Sequence, residues 1–235
     1  MALLSDVITY EFENVDAGVA AMLVKESYVP QGSALLYTTQ HRLREKVAIE
    51  AAGVPVAPYR VIEGMDSLER AMKELGYPSV LKTATGGYDG KGQVVIRSED
   101  QLSSAYAELV ASGRELVLEQ FISFACEISV VAARNPSGEV KSFPISENIH
   151  KNNILHLSIV PARIEAHIQR EARRLAETLA AKMDVVGLLA VEMFVTEDGQ
   201  LYVNELAPRP HNSGHYTMEA CTTSQFEQHV RAICN

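Results

Sequence analysis

Residues 188–206 have the sequence LLAVEMFVTEDGQLYVNEL, two largely apolar runs joined by the turn Glu197-Asp198-Gly199. An Asp-Gly pair between such runs is typical of a β-hairpin, so the sequence predicts two adjacent antiparallel strands. Each strand carries one carboxylate, Glu192 in the first and Glu205 in the second. The hairpin can therefore bring both carboxylates close together on one face of a sheet.

Other short strands and separate helices are predicted along the chain. The predicted strands are Ser79–Thr83, Gln93–Arg97, Leu116–Glu119, Ile128–Ala133, Val140–Phe143, Ile145–Ile149, Ile154–Val160, Leu188–Thr196 and Leu201–Leu206, with an extended piece over Val56–Ile62. The predicted helices run from about Val15 to Leu23, Thr39 to Gly53, Asp66 to Leu75, Glu99 to Ala111 and Glu165 to Met183. Hairpins mixed with separate helices predict an α+β fold rather than a doubly wound parallel sheet.

The first predicted strand, Val7–Phe12, begins almost at the start of the sequence and has no hydrophobic segment before it to pair with. A strand in a parallel or mixed sheet needs neighbours. The sequence alone therefore leaves this strand without a visible partner.

The composition limits the classes of function. The 235 residues include 21 Lys and Arg against 30 Asp and Glu, for a net charge of −9, and 47% are hydrophobic. This balance predicts a globular protein of one large or two modest domains, without a broad nucleic-acid surface or a membrane span. The first six residues show no secretory pattern, and three cysteines are too few for a disulfide scaffold, so a cytoplasmic location is expected.

A glycine-rich loop, Thr85-Gly86-Gly87-Tyr88-Asp89-Gly90-Lys91-Gly92, lies between two predicted strands. It fails the P-loop pattern because Gly92 follows Lys91, and it fails the dinucleotide pattern because a strand follows it instead of a helix. Backbone N–H groups of such a loop, with Lys82 before it and Lys91 inside it, can cover phosphates. An ordinary long hairpin loop remains the alternative.

The two strand carboxylates favour a divalent cation, because like charges held close together are costly unless a cation lies between them. Oxygen ligands together with phosphate oxygens suit Mg²⁺, and Asn204 offers a further oxygen. An exposed strand face, or an ion pair with nearby Arg209, remains the alternative.

The polar segment from Pro208 to Thr217 is typical of a binding loop. His211 and His215 are four residues apart, but Pro210 and Gly214 disfavour the helix that a zinc hydrolase would need. Two exposed histidines without function are the other interpretation. Cys126 has no partnering histidine in view, which disfavours a nucleophilic role.

These features occur in the order of the ATP-grasp enzymes: a lysine, a glycine-rich hairpin loop, a Glu-Gln connecting segment and two strand carboxylates. Residues 86–93, GGYDGKGQ, and residues 204–215, NELAPRPHNSGH, resemble the N5-carboxyaminoimidazole ribonucleotide synthetase family in particular. The resemblance runs from residues 9–15, TYEFENV, to residues 224–227, SQFE, which is nearly the whole chain.

The resemblance implies an ATP-dependent carbon–nitrogen ligase of purine biosynthesis that joins bicarbonate to 5-aminoimidazole ribonucleotide. It implies ATP contacts at Arg42, Lys82, Gly87, Tyr88, Asp89, Gly90, Lys91, Gly92, Gln93, Glu119, Gln120, Phe121, Ile122, Glu127, His150 and Asn204. It implies Mg²⁺ at Glu192 and Glu205, substrate contacts at Glu11, Glu13, Arg209, His211, Asn212 and Ser213, and catalytic roles for Arg209 and Lys82. A homodimer that binds no nucleic acid and no membrane is also implied.

Members of that family carry a further β-α-β unit at the start and a further domain at the end, and this sequence contains neither. The resemblance therefore implies that residues 1–38 are the tail of an N-terminal α/β domain and that residues 39–235 form the ATP-grasp domain. That domain would consist of two α+β subdomains clamping ATP, with the glycine-loop subdomain at about residues 80–120. Two alternatives remain open, namely an ATP- and Mg²⁺-binding core without full ligase activity and another ATP-grasp carboxylase such as a biotin carboxylase.

Overall fold

The computed structural model describes residues 2–87 and 90–234, so Tyr88 and Asp89 lie outside the described residues. Its helices are α1 (Ala17–Glu26), α2 (Ala34–Thr39), α3 (Arg42–Ala51), α4 (Met65–Leu75), α5 (Leu102–Val110), α6 (Ala166–Lys182), α7 (Thr217–Ala220) and α8 (Gln225–Cys234). Its strands are β1 (Tyr59–Ile62), β2 (Ser79–Thr83), β3 (Gln93–Ile96), β4 (Leu116–Gln120), β5 (Cys126–Arg134), β6 (Val140–Ser142), β7 (Ser146–Lys151), β8 (Ile154–Ile159), β9 (Gly187–Val195) and β10 (Leu201–Ala207).

The larger sheet has six antiparallel strands in the order β10-β9-β5-β7-β8, with β6 paired to β5. On one face, Leu189, Val191 and Met193 of β9 pack with the apolar side of α6 in the main core. That contact follows from the sequence, because α6 presents Ala172, Leu175, Ala176 and Leu179 at helical spacing. On the opposite face, Leu188 and Ala190 are buried in a smaller apolar cluster, whereas Glu192 and Phe194 further along β9 line a cleft.

The smaller sheet has four antiparallel strands in the order β1-β4-β2-β3. It spans residues 59–120, and its core is closed by α4 and α5 through buried residues such as Leu68 and Leu109. The predicted glycine-loop unit at about residues 80–120 lies within this span. Hairpin β2–β3 carries the glycine loop at one end of the sheet.

The α+β class is confirmed, and the predicted strands from Ser79 onward are present with ends that differ by a few residues. The helix expected over Thr39–Gly53 is observed as α3, whereas α2, α7 and α8 were not predicted. Helices α2 and α7 are only 6 and 4 residues long, too short for a helical hydrophobic period to show in the sequence.

The predicted strand at Val7–Phe12 is wrong: these residues have no strand pairing in the described part of the chain. The backbone N–H of Ile8 donates to Tyr28 O at 2.9 Å, and Tyr10 is buried against Ala20 and Leu36. β-Branched and aromatic residues form a strand only where a neighbouring backbone completes the ladder, and here side-chain packing on helices replaces it.

Within residues 2–87 and 90–234, none of the helices has the length and the apolar character needed to cross a membrane.

Candidate active site

A cleft of about 990 Å³ lies between the small sheet, helix α3 and the polar end of the large sheet. Most of the predicted site residues line it, namely Glu13, Arg42, Lys82, Gly87, Gly90, Lys91, Gly92, Gln93, Glu119, Gln120, Phe121, Ile122, Glu127, His150, Glu192, Asn204, Glu205, Arg209, His211 and Asn212. Among the described residues, Glu11 and Ser213 are predicted site residues that do not line it. Glu11 is exposed, and Ser213 is buried with its Oγ 2.8 Å from His211 Nδ1.

One wall of the cleft carries a buried cluster of charges centred on Glu119 of β4. Lys82 Nζ on the neighbouring strand β2 lies 3.0 Å from Glu119 Oε2, and Lys46 Nζ lies 3.4 Å from the same oxygen. Arg42 Nε lies 3.5 Å from Glu119 Oε1. Three cations therefore share one carboxylate, which leaves an excess of positive charge on this wall.

The burial of this cluster shifts the pKa values of its members. Burial alone would raise the pKa of Glu119, but the charges of Lys82, Arg42 and Lys46 lower it to about 2. Burial and then the charge of nearby Arg42 lower the pKa of Lys82 to about 8, against the opposing effect of Glu119. Glu119 is therefore a permanent anion at neutral pH, and the wall gains from a negatively charged ligand.

Helix α3 supplies three members of this region from a single face. Arg42, Glu45 and Lys46 follow the i, i+3, i+4 spacing, and Ile49 continues that face into the main core. Glu45 Oε1 accepts a hydrogen bond of 2.7 Å from the backbone N–H of Leu206 in β10, and burial raises the pKa of Glu45 to about 8. Sequence reasoning missed Glu45 and Lys46, although two charges on the apolar face of a helix were a usable signal.

The opposite wall carries the predicted pair of carboxylates. Glu205 of β10 is the register partner of Glu192 on β9, and Glu192 in turn faces Ser129 on β5. Glu192 faces the cleft because it alternates along β9 with the core-facing residues Val191 and Met193. Burial and then the charge of Glu205 raise the pKa of Glu192 well above its usual value. The pair is an energetic cost that a cation would relieve.

This donor set fits Mg²⁺ in one specific way. No group of three or more His, Cys, Asp and Glu residues that could hold a metal by itself occurs among residues 2–87 and 90–234. Mg²⁺ is commonly held by one or two carboxylates with the remaining positions filled by water and substrate phosphates. Two adjacent carboxylates match that pattern, with Arg42 Nη2 of the cationic wall 3.7 Å from Glu205 Oε2.

Arg209, directly after β10, is held by a carboxylate from the N-terminal segment. Its Nε and Nη2 lie 2.9 Å and 2.7 Å from Glu13 Oε2. Next to it, His211 Nε2 lies 3.2 Å from Glu192 Oε1, and burial followed by the charge of Arg209 lowers the pKa of His211 to about 4. His211 is thus neutral at neutral pH, and a short helix over Asn212–Gly214 follows it directly.

The far end of the cleft combines an aromatic pair with a polar pair. The rings of Phe194 and Phe124 are stacked with centroids 4.7 Å apart. Glu127, the register partner of Phe194 on β5, has its Oε1 3.1 Å from His150 Nδ1, and that hydrogen bond is the main cause of the raised pKa of His150. A flat apolar face beside a carboxylate is suited to a base and its sugar hydroxyls.

The described residues of the glycine loop, 85–87 and 90–92, follow β2 of the small sheet, and Gly90 among them lies next to the large sheet. The backbone N–H of Thr83 donates to Gly92 O at 2.8 Å and closes the base of the loop. Gly90, with φ of +76°, lies so close to the β7–β8 turn that a Cβ there would overlap the side chain of Asn153. The described part of the loop therefore contacts both subdomains.

Comparison with known proteins agrees with this geometry. The family model described as the ATP-grasp domain matches residues 47–226. The N5-carboxyaminoimidazole ribonucleotide synthase of Bacillus subtilis is 56% identical over 234 residues, which are 100% of this chain and 61% of that relative. The chain therefore spans about three fifths of the length of this curated relative.

Solved structures give the same result. An ADP complex of an N5-carboxyaminoimidazole ribonucleotide synthetase superposes with a TM-score of 0.95 at 58% identity, covering 100% of this chain and 62% of that one. The enzyme of Aspergillus clavatus, in complex with ADP and 5-aminoimidazole ribonucleotide, superposes with a TM-score of 0.91 at 32% identity, covering 99% of this chain and 60% of that one.

Proposed function

The chain belongs to the ATP-grasp family, and on that premise we propose that it catalyses the carboxylation of 5-aminoimidazole ribonucleotide. In this reaction ATP, bicarbonate and the ribonucleotide give N5-carboxyaminoimidazole ribonucleotide, ADP and phosphate, as in purine biosynthesis. The observation that carries the proposal is the cleft itself, in which the cations of Lys82 and Arg42 face the carboxylates of Glu192 and Glu205. The similarity to synthases over the whole chain supports it.

The chemistry explains why such a cleft is needed. Bicarbonate is a poor electrophile, so its oxygen first takes the γ-phosphoryl group of ATP to give carboxyphosphate and ADP. The amine nitrogen of the ribonucleotide then takes the carboxyl group, and the C–O bond to phosphate breaks. A phosphoryl group in transfer carries spread negative charge, which fixed cations stabilise.

The phosphate end of the nucleotide fits the cationic wall. Lys82 and Arg42 would hold phosphate oxygens, and the backbone of residues 87–93 would close over them. The remaining nucleotide contacts are proposed at Gln120, Phe121 and Ile122 for the base, and at Glu127 with His150 for the ribose. Glu119 acts through its ion pairs, because its side chain is directed to Lys82 and Lys46.

Glu192 and Glu205 would hold Mg²⁺, with Asn204 beside them. Bound there, Mg²⁺ would neutralise charge on the phosphates. The like-charge cost of the carboxylate pair supports this assignment, because the chain offsets it only in part. Arg42 Nη2 lies 3.7 Å from Glu205 Oε2, yet the pKa of Glu192 is still raised.

Arg209 is the best candidate to hold carboxyphosphate, because its planar guanidinium matches carboxylate and phosphate oxygens. Glu13 holds this guanidinium in place, and His211 and Asn212 line the same end of the cleft. We assign the acceptor substrate to this end. The burial of Ser213 and the exposure of Glu11 make these two residues weaker candidates for direct contact.

Three further elements belong to the proposal. Residues 1–38 are the tail of an N-terminal domain and residues 39–235 the ATP-grasp domain, in agreement with a family match that begins at residue 47. The active species is a homodimer. The location is the cytoplasm, which the free thiols of Cys126, Cys221 and Cys234 favour.

The test measures ADP release by the chain with MgATP and bicarbonate, with and without 5-aminoimidazole ribonucleotide. We expect the ribonucleotide to stimulate ADP release and N5-carboxyaminoimidazole ribonucleotide to accumulate. ADP release without stimulation would overturn the ligase assignment and leave a nucleotide-binding core. Stimulation of ADP release by biotin in place of the ribonucleotide would identify a biotin carboxylase instead.

A further inference from the structure

Lys46 of α3 is a buried cation that the nucleotide assignment leaves without a role. It is 1% exposed, one of the largest fully buried side chains in the described chain. Its Nζ lies 3.4 Å from Glu119 Oε2 and has no hydrogen-bond partner among residues 2–87 and 90–234. The ring of Tyr59 lies 5.4 Å from the same nitrogen. A charge buried this completely needs a reason, because desolvation is costly.

The two lysines that share Glu119 Oε2 differ in what else they can reach. Lys82 lines the cleft, makes the shorter contact of 3.0 Å and can turn towards a ligand. Lys46 is closed off from solvent, so Glu119 is the anion available to it. Of these two lysines, a ligand can therefore draw Lys82 away from Glu119 but cannot draw Lys46 away.

A polyphosphate in the cleft competes with Glu119 for the cations of Lys82 and Arg42. Each step of Lys82 towards the phosphates weakens its contact with Glu119, whose side chain is buried and stays ionised. A buried carboxylate that loses its partner is strongly disfavoured. That penalty would oppose phosphate binding unless another cation stayed behind.

We propose that Lys46 is a positioning residue for the phosphate site, holding the charge of Glu119 so that Lys82 is free to bind phosphate. This inference rests on the proposed binding of ATP and adds a residue that never touches the nucleotide. It predicts that the loss of Lys46 weakens nucleotide binding more for nucleotides with more phosphate groups, because these draw Lys82 more strongly away from Glu119. A lysine that merely supports the fold would affect all nucleotides alike.

The experiment measures Kd by isothermal titration calorimetry for ATP, ADP and AMP in excess Mg²⁺. The variants are Lys46→Met, which keeps the length of the side chain and removes the charge, and Ile49→Ala, a matched control one turn later on the same buried face. We expect Lys46→Met to weaken ATP binding about tenfold or more and AMP binding by less than about threefold. Ile49→Ala lowers thermal stability and leaves the ratio of the ATP and AMP affinities unchanged.

A second comparison holds even where Lys46→Met folds poorly. Glu119→Gln and the double variant Lys46→Met/Glu119→Gln lack the buried carboxylate, so Lys46 has no charge left to balance. These two variants should bind ATP with the same Kd to within about threefold. Their agreement, beside a large effect of Lys46→Met in the parent chain, supports the coupling.

Three results would overturn the inference alone: unchanged ATP affinity in Lys46→Met, equal losses for ATP and AMP, or an undiminished effect of Lys46→Met in the Glu119→Gln background. A parent chain that binds none of the three nucleotides would overturn the proposed function and this inference together.

Discussion

Glu205 is the register partner of Glu192 because the β9–β10 ladder is irregular next to it. The pairing moves from Val203 with Met193 to Glu205 with Glu192, and Asn204 has no partner in the ladder. In a regular ladder Asn204 would face Glu192 instead. The bulge therefore converts a carboxylate and an amide into two adjacent carboxylates, and bulges of this kind are common beside active sites.

This arrangement predicts opposite effects of Glu192→Gln with and without Mg²⁺. Without the ion, removing one of two like charges should raise the free energy of unfolding by about 1 kcal/mol, or about 2–4 °C in Tm. With MgATP, loss of a ligand should lower the rate of ADP release about 100-fold. Scanning fluorimetry and the ADP assay measure the two effects.

Glu197→Gln, in the exposed turn of the same hairpin, is the control and should change neither. An unchanged Mg²⁺ dependence in Glu192→Gln would sink the metal assignment.

Glu45 should make the chain less stable as the pH rises. The folded chain keeps the Glu45 proton up to about pH 8, whereas the unfolded chain releases it near the usual pKa of 4.5. Unfolding therefore releases a proton between these values, and the contribution of Glu45 to the free energy of unfolding falls by about 1.4 kcal/mol per pH unit between about pH 5 and 8. Its full contribution is present below pH 4.5.

The variant Glu45→Gln keeps an oxygen for the N–H of Leu206 but cannot ionise. In urea denaturation from pH 5 to 8.5, the variant should gain stability relative to the parent as the pH rises. Glu69→Gln, on the exposed side of α4, should show a flat difference. A flat difference for Glu45→Gln as well would show that Glu45 is ionised in the folded chain throughout this range.

The sequence predicted what depends on short segments and missed what depends on distant contacts. That Glu192 and Glu205 lie on adjacent strands was predictable because one short turn connects those strands. Their direct pairing was not, because it depends on the bulge at Asn204. The contact of Glu45 with Leu206 joins residues 161 positions apart, so no local pattern reports it. The segment Val7–Phe12 failed for the related reason that strand propensity does not say whether a partner strand is present.

The variant Arg209→Lys should show whether the function of Arg209 depends on its positive charge alone or also on its planar guanidinium. Lysine keeps one charge but cannot offer two parallel N–H donors to a carboxylate or phosphate. We expect kcat/KM for bicarbonate to fall about 10- to 100-fold while Kd for ATP stays unchanged. Steady-state kinetics with varied bicarbonate and calorimetry with ATP measure these values. Arg163→Lys is the control, because Arg163 makes a similar fork to Glu147 outside this cleft. If Arg209→Lys weakened ATP binding as much as it lowered kcat/KM for bicarbonate, Arg209 would be assigned to the nucleotide instead.

Gly90 tests whether contact between the glycine loop and the β7–β8 turn matters for closure over the nucleotide. Alanine at this position meets two obstacles, a φ of +76° and the side chain of Asn153. Gly138 in the β5–β6 turn also has a positive φ, of +89°. A Cβ there would meet no obstacle, because its nearest neighbour, Arg134, would lie 3.7 Å away. Both variants should therefore lose about 1 kcal/mol of stability from the backbone.

The clash at Asn153 is specific to Gly90→Ala, so the loop of this variant must move away from the turn. We expect Kd for ATP to rise about tenfold in Gly90→Ala and to stay unchanged in Gly138→Ala. Shortening the neighbour in Gly90→Ala/Asn153→Ala removes the polar end of the obstacle and should recover part of that loss. Recovery is partial because the backbone cost remains and because the Cβ of residue 153 would still lie 2.8 Å from the new Cβ. If Gly90→Ala binds ATP as tightly as Gly138→Ala does, contact between loop and turn is not part of nucleotide binding, and the loop closes on the small sheet alone.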